Sequence, residues 1–309
     1  MHRTIEITVP SSEREALVRD LECLEDVIGL AVHPGAARKP KGDLIIVQAL
    51  NQGADDVLRC VAKGEGKTRA FLVVTGEAAS FSDPERQQQI DSDSDEAIWE
   101  EIQTSLRNRG QLTTNFILLM GLGGAIAAAG LAVEPVPQVT AFIAAAIIAP
   151  AFEPLAKLPL ALVLHNSRLL KDALLSAFSG YMALFLAAAG TILLLRGLGV
   201  ITLEKIIGNP EVQRIMHVPF DSIFVSACAA LAGVLVETAY RESLLAGPVI
   251  GLLLLPAAAL LGAGLALLST ELIRAGAIRL GIDAILIVGF GVIAFWLKQR
   301  ALHQRKPIS

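Results

Sequence analysis

The sequence predicts an α-helical polytopic membrane protein of about six spans, built as two three-helix inverted repeats behind an N-terminal soluble domain of α+β, ferredoxin-like (βαββαβ) type. Three observations predict it. First, 53% of the 309 residues are hydrophobic and only 18% are charged, at a mean hydropathy of +0.58; a soluble globular chain carries roughly 25% charged residues. Second, the charges are segregated. Residues 1–110 hold 13 Lys+Arg against 20 Asp+Glu, net −7, and residues 111–309 hold 13 against 10, net +3. Third, apolar runs of about 20 residues, the length that crosses a hydrocarbon core as a helix, recur along the second part. The expected organisation is a cytoplasmic domain over 1–80, an acidic linker and amphipathic interfacial helix over 81–110, a transmembrane domain over 111–298 and a basic cytoplasmic tail over 299–309.

In the head, Ile5, Ile7 and Val9 alternate with polar residues, the period of a half-buried strand. Pro10-Ser11-Ser12 breaks it, and Leu17, Leu21 and Leu24 then recur at helical spacing over residues 13–26. Residues 27–32 and 43–50 are apolar runs separated by a Pro/Gly/Lys turn region, which predicts a hairpin. Residues 51–63 predict a second helix through Val57, Leu58 and Val61, and 70–74 a last strand. The order βαββαβ is that of a split βαβ unit. Nothing at the N-terminus has signal-peptide character, so the head is expected in the cytoplasm. Its acidity argues against nucleic acid as a partner, because neutralising phosphates needs a basic surface.

Two apparent motifs fail. Gly66-Lys67-Thr68 lacks the first glycine of a phosphate loop, which should stand where Val61 does. Asp91, Asp93 and Asp95 imitate the start of an EF-hand loop, but Glu96 and Ile102 occupy the positions that need glycine and a bidentate glutamate. Residues 77–92 read as a polar linker. Beyond them Ile98, Trp99, Ile102 and Leu106 share a helical face, either at the membrane interface or packed on the head.

Six spans are expected: 112–133, 139–164, 174–195, 223–240, 244–268 and 277–297. An even number leaves both termini on one side. That side holds nine basic residues (107, 109, 168, 171, 241, 298, 300, 305, 306) and the other five (196, 205, 214, 274, 279). By the positive-inside rule both termini are cytoplasmic, in an inner (plasma) membrane. The body also repeats itself: 125–134 resembles 230–237, 143–150 resembles 249–256, and 162–171 resembles 265–274, at offsets of 103, 106 and 103. Three spans per unit would invert the second copy in the membrane, as in many transporters.

The segment Ala146-Ile-Ile-Ala-Pro150-Ala-Phe-Glu-Pro154, the stretch Leu162–Leu170 and the second copy ending in Pro256 together resemble the uncharacterised hydrophobic-domain membrane protein family, domain of unknown function 389. The resemblance spans roughly 112–280, and the head is similar to that family's soluble N-terminal domain. It implies a multi-span prokaryotic inner-membrane protein of unassigned activity. Where members often carry glycine or serine between the two prolines, this chain has Glu153.

Candidate transport or binding residues follow from the polar and helix-breaking positions inside apolar runs. Pro150, Pro154 and Pro159 are expected to interrupt the second span, and Pro248 and Pro256 the fifth, because proline removes a hydrogen bond and clashes with the carbonyl four residues back. Paired broken helices point to a midplane binding site; a packed kink is the plain alternative. Glu153 and Lys157, four apart, share a helix face and can pair, either at a solute site or structurally. Glu134 and Glu237 occupy matching places near span ends, either as transport or binding residues or simply facing the surface. Asp283, within the last span, is open between a helix contact and a proton site. The histidines (2, 33, 165, 217, 303) are scattered, and Cys23, Cys60 and Cys228 show no metal or disulfide spacing. No catalytic set, metal site or cofactor is therefore expected, and the reading is not an enzyme. The expected function is a homo-oligomeric transporter or channel for a small solute or ion among membrane lipid, regulated by the head; the alternative is a membrane-anchored sensor or scaffold.

Overall fold

The structure, a computed structural model, describes residues 2–62, 70, 72–77, 97–133, 135–239 and 246–301. The chain divides into two compact units, residues 1–99 with 301–309, and residues 100–300.

The first unit carries β1 (His2–Val9), α1 (Arg14–Glu22), β2 (Val27–Arg38), β3 (Lys41–Leu50), a 3-10 turn Asn51–Gly53, α2 (Ala54–Ala62) and β4 (Leu72–Glu77). The sheet runs in the order β2-β3-β1-β4, and every neighbouring pair is antiparallel. Alternation decides its buried face. Ile5 lies opposite Val47 and Ile7 opposite Ile45, and all four are fully buried with Leu17, Leu21, Val57 and Val61 from the helices. Both hairpin strands run longer than the apolar runs predict, out to Arg38 and back from Lys41. Asp43 anchors that extension: it accepts the Gly35 N–H at 2.7 Å, Ser11 Oγ at 3.1 Å and Arg14 Nη1 at 3.2 Å. Gly35 has φ +65°, a conformation glycine adopts without steric cost. The first helix stops at Glu22, and Leu24 packs on the core from the following turn. The Gly66-Lys67-Thr68 and Asp91/Asp93/Asp95 segments and nearly all of the acidic linker lie outside the described residues.

α3 is Trp99–Arg109. Ile98, Trp99, Ile102 and Leu106 are all at most 2% exposed. Ile98 belongs to the head's core.

The second unit continues with α4 (Thr114–Gly130), α5 (Pro135–Ile148), α6 (Phe152–Val163), α7 (Ser167–Gly197), α8 (Leu203–Ile207), α9 (Pro210–His217), α10 (Phe220–Thr238), α11 (Ala246–Leu267) and α12 (Thr270–Ala301). Four of these helices, α7, α10, α11 and α12, are each long and apolar enough to cross a membrane, and the number is six if each of two bent pairs is one span. The pairs are α3 with α4, bent by 68°, and α5 with α6, bent by 48°. Large apolar side chains cover the outside: Leu118, Leu122, Phe178, Leu186, Phe224 and Ile285 are each more than half exposed, the signature of a surface meant for lipid or a partner rather than water. Inside, small residues bring backbones together. A Cβ at Gly124 of α4 would stand 2.4 Å from the Leu184 carbonyl oxygen of α7.

The α6–α7 and α11–α12 junctions share one geometry. His165 and Leu268 have φ +53° and +54°, the next N–H reaches five residues back (Asn166 to Ala161, 3.0 Å; Ser269 to Gly264, 2.9 Å), and Asn166 and Ser269 then cap the following helix. Each is a Schellman ending fused to an N-cap, 103 residues apart.

The prolines behave unequally. Pro150 lies at the break, but Pro154 sits in the first turn of α6, where its missing N–H is not needed. Pro248 likewise falls in the first turn of α11, and Pro256 lies inside a helix that continues through it. The fifth span is therefore not broken at Pro256. A lone proline costs one helical bond. At 150 and 154 two prolines stand four apart, so a continuous helix would lose the bonds to residues 146 and 150 together and suffer both clashes.

Candidate functional site

The two helix breaks meet at Lys157. This side chain is 2% exposed, and its ammonium donates to the Gly110 carbonyl, between α3 and α4, and to Ser176 Oγ on α7 at 3.0 Å. Ser176 in turn donates to the Asp172 carbonyl at 2.7 Å. Gly110 has to be small here, since a Cβ would stand 2.8 Å from Lys157 Cε. On the other side of the α5–α6 break, Tyr181 of α7 donates its hydroxyl to the Ala151 carbonyl at 3.0 Å. The bend is thus held by side chains from α6 and α7 as well as by Pro150.

Glu153 stands in the first turn of α6, where the helix dipole favours a carboxylate. It is 8% exposed, and its Oε2 has no hydrogen-bond partner. It lines a cavity of about 330 Å³ with Arg109, Gln111, Thr113 and Asn115 from the α3–α4 break, and with Gly247 from the start of α11. A Cβ at Gly247 would lie 2.8 Å from Glu153 Oε1. The expected Glu153–Lys157 ion pair is not formed: among the described residues the recorded ion pairs do not include it, and Lys157 turns to Gly110 and Ser176 instead. Carbonyls at a helix break need a donor, and a long ammonium on the neighbouring α6 is the one that reaches Gly110.

Glu237 also departs from the surface reading. It is 5% exposed, and it accepts from Arg109 Nη1 at 3.4 Å, so it belongs to the bundle rather than the surface. A carboxylate at a span end can turn inward when a cation from a neighbouring helix end meets it. Beside it, Lys298 of α12 donates to the Thr238 carbonyl at 3.2 Å, satisfying an orphan acceptor at the C-terminus of α10. Glu134 lies outside the described residues. Asp283 is buried against Arg279 (3.1 Å), whose other nitrogens reach Ser222 (2.7 Å) and Ser226 (2.5 Å) on α10. The Asp283 Oδ1 is buried without a hydrogen-bond partner. The structure thus brings Pro150, Glu153 and Lys157 to one region with Arg109, and leaves Pro256 within the packed length of α11.

Sequence reasoning missed Gln138. This residue of α5 is fully buried, and neither its amide nitrogen nor its amide oxygen has a partner. It lies ten residues before Ile148, roughly 15 Å down the helix at 1.5 Å per residue. A single amide inside an apolar run was the available signal. Arg109 and Gly247 were also missed, because nothing local marks them.

Residues 146–289 match the family model described as Domain of unknown function (DUF389), the family that the Pro150–Pro154 segment resembles. No curated protein and no solved structure matches the chain.

Proposed function

From a chain whose residues 146–289 form a DUF389 domain, we propose a membrane transporter or channel for a small solute or ion, with its pathway at the α5–α6 break. One observation carries this reading: a nine-tenths buried carboxylate, Glu153, faces a cavity of about 330 Å³ with an oxygen that no protein group satisfies. A buried polar group without a partner costs on the order of 1–3 kcal/mol, and bilayers tolerate irregular backbone where it lines a wet cavity. Gln138 adds a second unsatisfied polar side chain on the same broken helix pair. The volume is at the lower end of small-molecule sites.

The rest of the reading concerns architecture. The body is two three-helix inverted repeats, supported by the twin junctions at His165 and Leu268. The head is a ferredoxin-like domain, supported by its strand order β2-β3-β1-β4, and in this reading it regulates the body. Both termini are cytoplasmic in an inner membrane. Of the basic residues counted toward that orientation, Lys298 and Arg279 are buried in the bundle; leaving them out, the bias is eight against four and keeps its sign. The working unit is a homo-oligomer.

Purified full-length chain in proteoliposomes, screened for flux against protein-free vesicles with cations, anions and neutral solutes, tests the function. Flux above the control for at least one solute is expected, reduced by Glu153→Gln. A folded protein that passes none of them leaves the sensor or scaffold in its place.

A further inference from the structure

Among the described residues, the cations near Glu153 hydrogen-bond to other groups. Arg109 donates to Glu237, Lys157 to Gly110 and Ser176, and Lys298 to Thr238, while Glu153 Oε2 stays unsatisfied. The same helix break strands two further acceptors. Pro150 has no N–H for the Ala146 carbonyl, and the Ala151 N–H that would serve Ile147 goes to Ala149 at 2.8 Å. Ala146, Ile147 and Glu153 all line the cavity, and across it stand Gln111, Thr113 and Asn115, which have side-chain oxygens to offer. Apart from Arg109, whose guanidinium is directed at Glu237, the lining offers carboxylate, freed helix-terminal carbonyls and amide or hydroxyl oxygens. An anion placed there would meet Oε2 directly.

We propose that this cavity binds a small cation of single charge, held at Glu153 Oε2 and by the carbonyls freed at Pro150. The proposal names the substrate class of the transport reading above and rests on it. A single charge is the upper limit, because the Lys157 ammonium and the Arg109 guanidinium already stand near Glu153 and Glu237. A divalent ion would bring a second positive charge into a site whose other nearby carboxylate, Glu237, is engaged with Arg109, and an uncompensated buried charge is strongly unfavourable. A metal ion with part of its hydration shell and a primary ammonium both fit about 330 Å³. Gly247 is the positioning residue: its missing Cβ leaves Oε1 its place, since an added one would stand 2.8 Å away.

Calorimetric titration of the purified full-length chain with sodium, potassium or methylammonium chloride, each against tetrapropylammonium chloride at equal ionic strength, tests this. Tetrapropylammonium carries the same charge behind four propyl groups and has no N–H. The wild-type chain is expected to bind at least one of the three, with affinity at least tenfold weaker in Glu153→Gln and in Gly247→Ala. Sodium or potassium binding identifies a metal ion, and methylammonium alone an amine. Folded wild-type chain that binds none of the three above the tetrapropylammonium baseline overturns the proposal. So does undiminished affinity in a folded Glu153→Gln chain; should that variant not fold, Gly247→Ala decides by the same tenfold criterion. Cation binding without flux removes the transport reading and leaves the site. Flux of another solute with no cation binding removes the site and leaves transport.

Discussion

Gly123 places α4 directly against the residue before the helix break. A Cβ there would stand 2.4 Å from the Ala149 methyl and 3.3 Å from the Ala145 carbonyl oxygen. Carbon atoms in contact sit about 3.5–4.0 Å apart, so Gly123→Ala forces a displacement of more than about 1 Å. Neither neighbour can rotate away, because a β-methyl and a carbonyl are fixed to the backbone. Overpacking of this kind costs about 1–3 kcal/mol, offset by about 1 kcal/mol of helix propensity from replacing glycine. A net loss of up to about 2 kcal/mol is expected. Gly190→Ala in α7 is the internal control: nothing lies within 4 Å of its added Cβ, so it keeps the propensity gain and stabilises by up to about 1 kcal/mol. Because Ala149 adjoins Pro150, the forced shift reaches the cavity wall, and flux per folded molecule should fall in Gly123→Ala alone. Adding Ala149→Gly removes the clashing methyl and should restore both stability and flux, a coupling read by a double-mutant cycle. Denaturant unfolding in mixed micelles with parallel flux measurements checks all three. A Gly123→Ala chain as stable as Gly190→Ala, or one that Ala149→Gly does not rescue, refutes the packing argument.

Three further outcomes follow from other parts of the chain. The Gly35 N–H, and after it Ser11 and Arg14, hold the Asp43 carboxyl below the usual aspartate range against the opposing effect of burial; a lowered folded value means stabilisation that is present above the ordinary aspartate range and lost as pH falls through the folded value. Residues 1–80 expressed alone should unfold cooperatively, and Asp43→Asn should lower their stability at neutral pH and flatten the acid limb, an unchanged acid limb counting against the anchor. In a background free of Cys23, Cys60 and Cys228, Gln213→Cys should react with an impermeant thiol reagent in intact cells and Gln304→Cys should not; the reverse pattern inverts the orientation. His165→Gly should stabilise by about 1 kcal/mol, because an exposed non-glycine residue at φ +53° is relieved of strain, and a loss of stability would show that the histidine side chain matters more than its backbone.

Much of the fold was legible because it rests on local patterns. The two-residue alternation of Ile5, Ile7 and Val9, the helical spacing of Leu17 and Leu21, and apolar runs of span length each report their own element without reference to any other. The segments 162–171 and 265–274 resemble each other in sequence, but their shared junction geometry is seen only in the structure. The candidate site was legible only in part. Pro150 and Glu153 announce themselves as a helix breaker and a charge in apolar sequence. Their surroundings do not.

By itself, then, the sequence determined the division into an acidic head and an apolar body, the head's element order, and the helix break at Pro150. Tertiary structure decided the partners: Lys157 to Gly110 and Ser176 rather than Glu153, Glu237 inward to Arg109, and Pro256 within an unbroken α11. The physical reason is that spacing encodes a direction only when a helix has a polar side to contrast with an apolar one. α4 and α11 are apolar nearly all round, so their rotation is set by where a missing Cβ at Gly123, Gly124 or Gly247 lets another backbone or carboxylate approach, and that is a property of two helices at once.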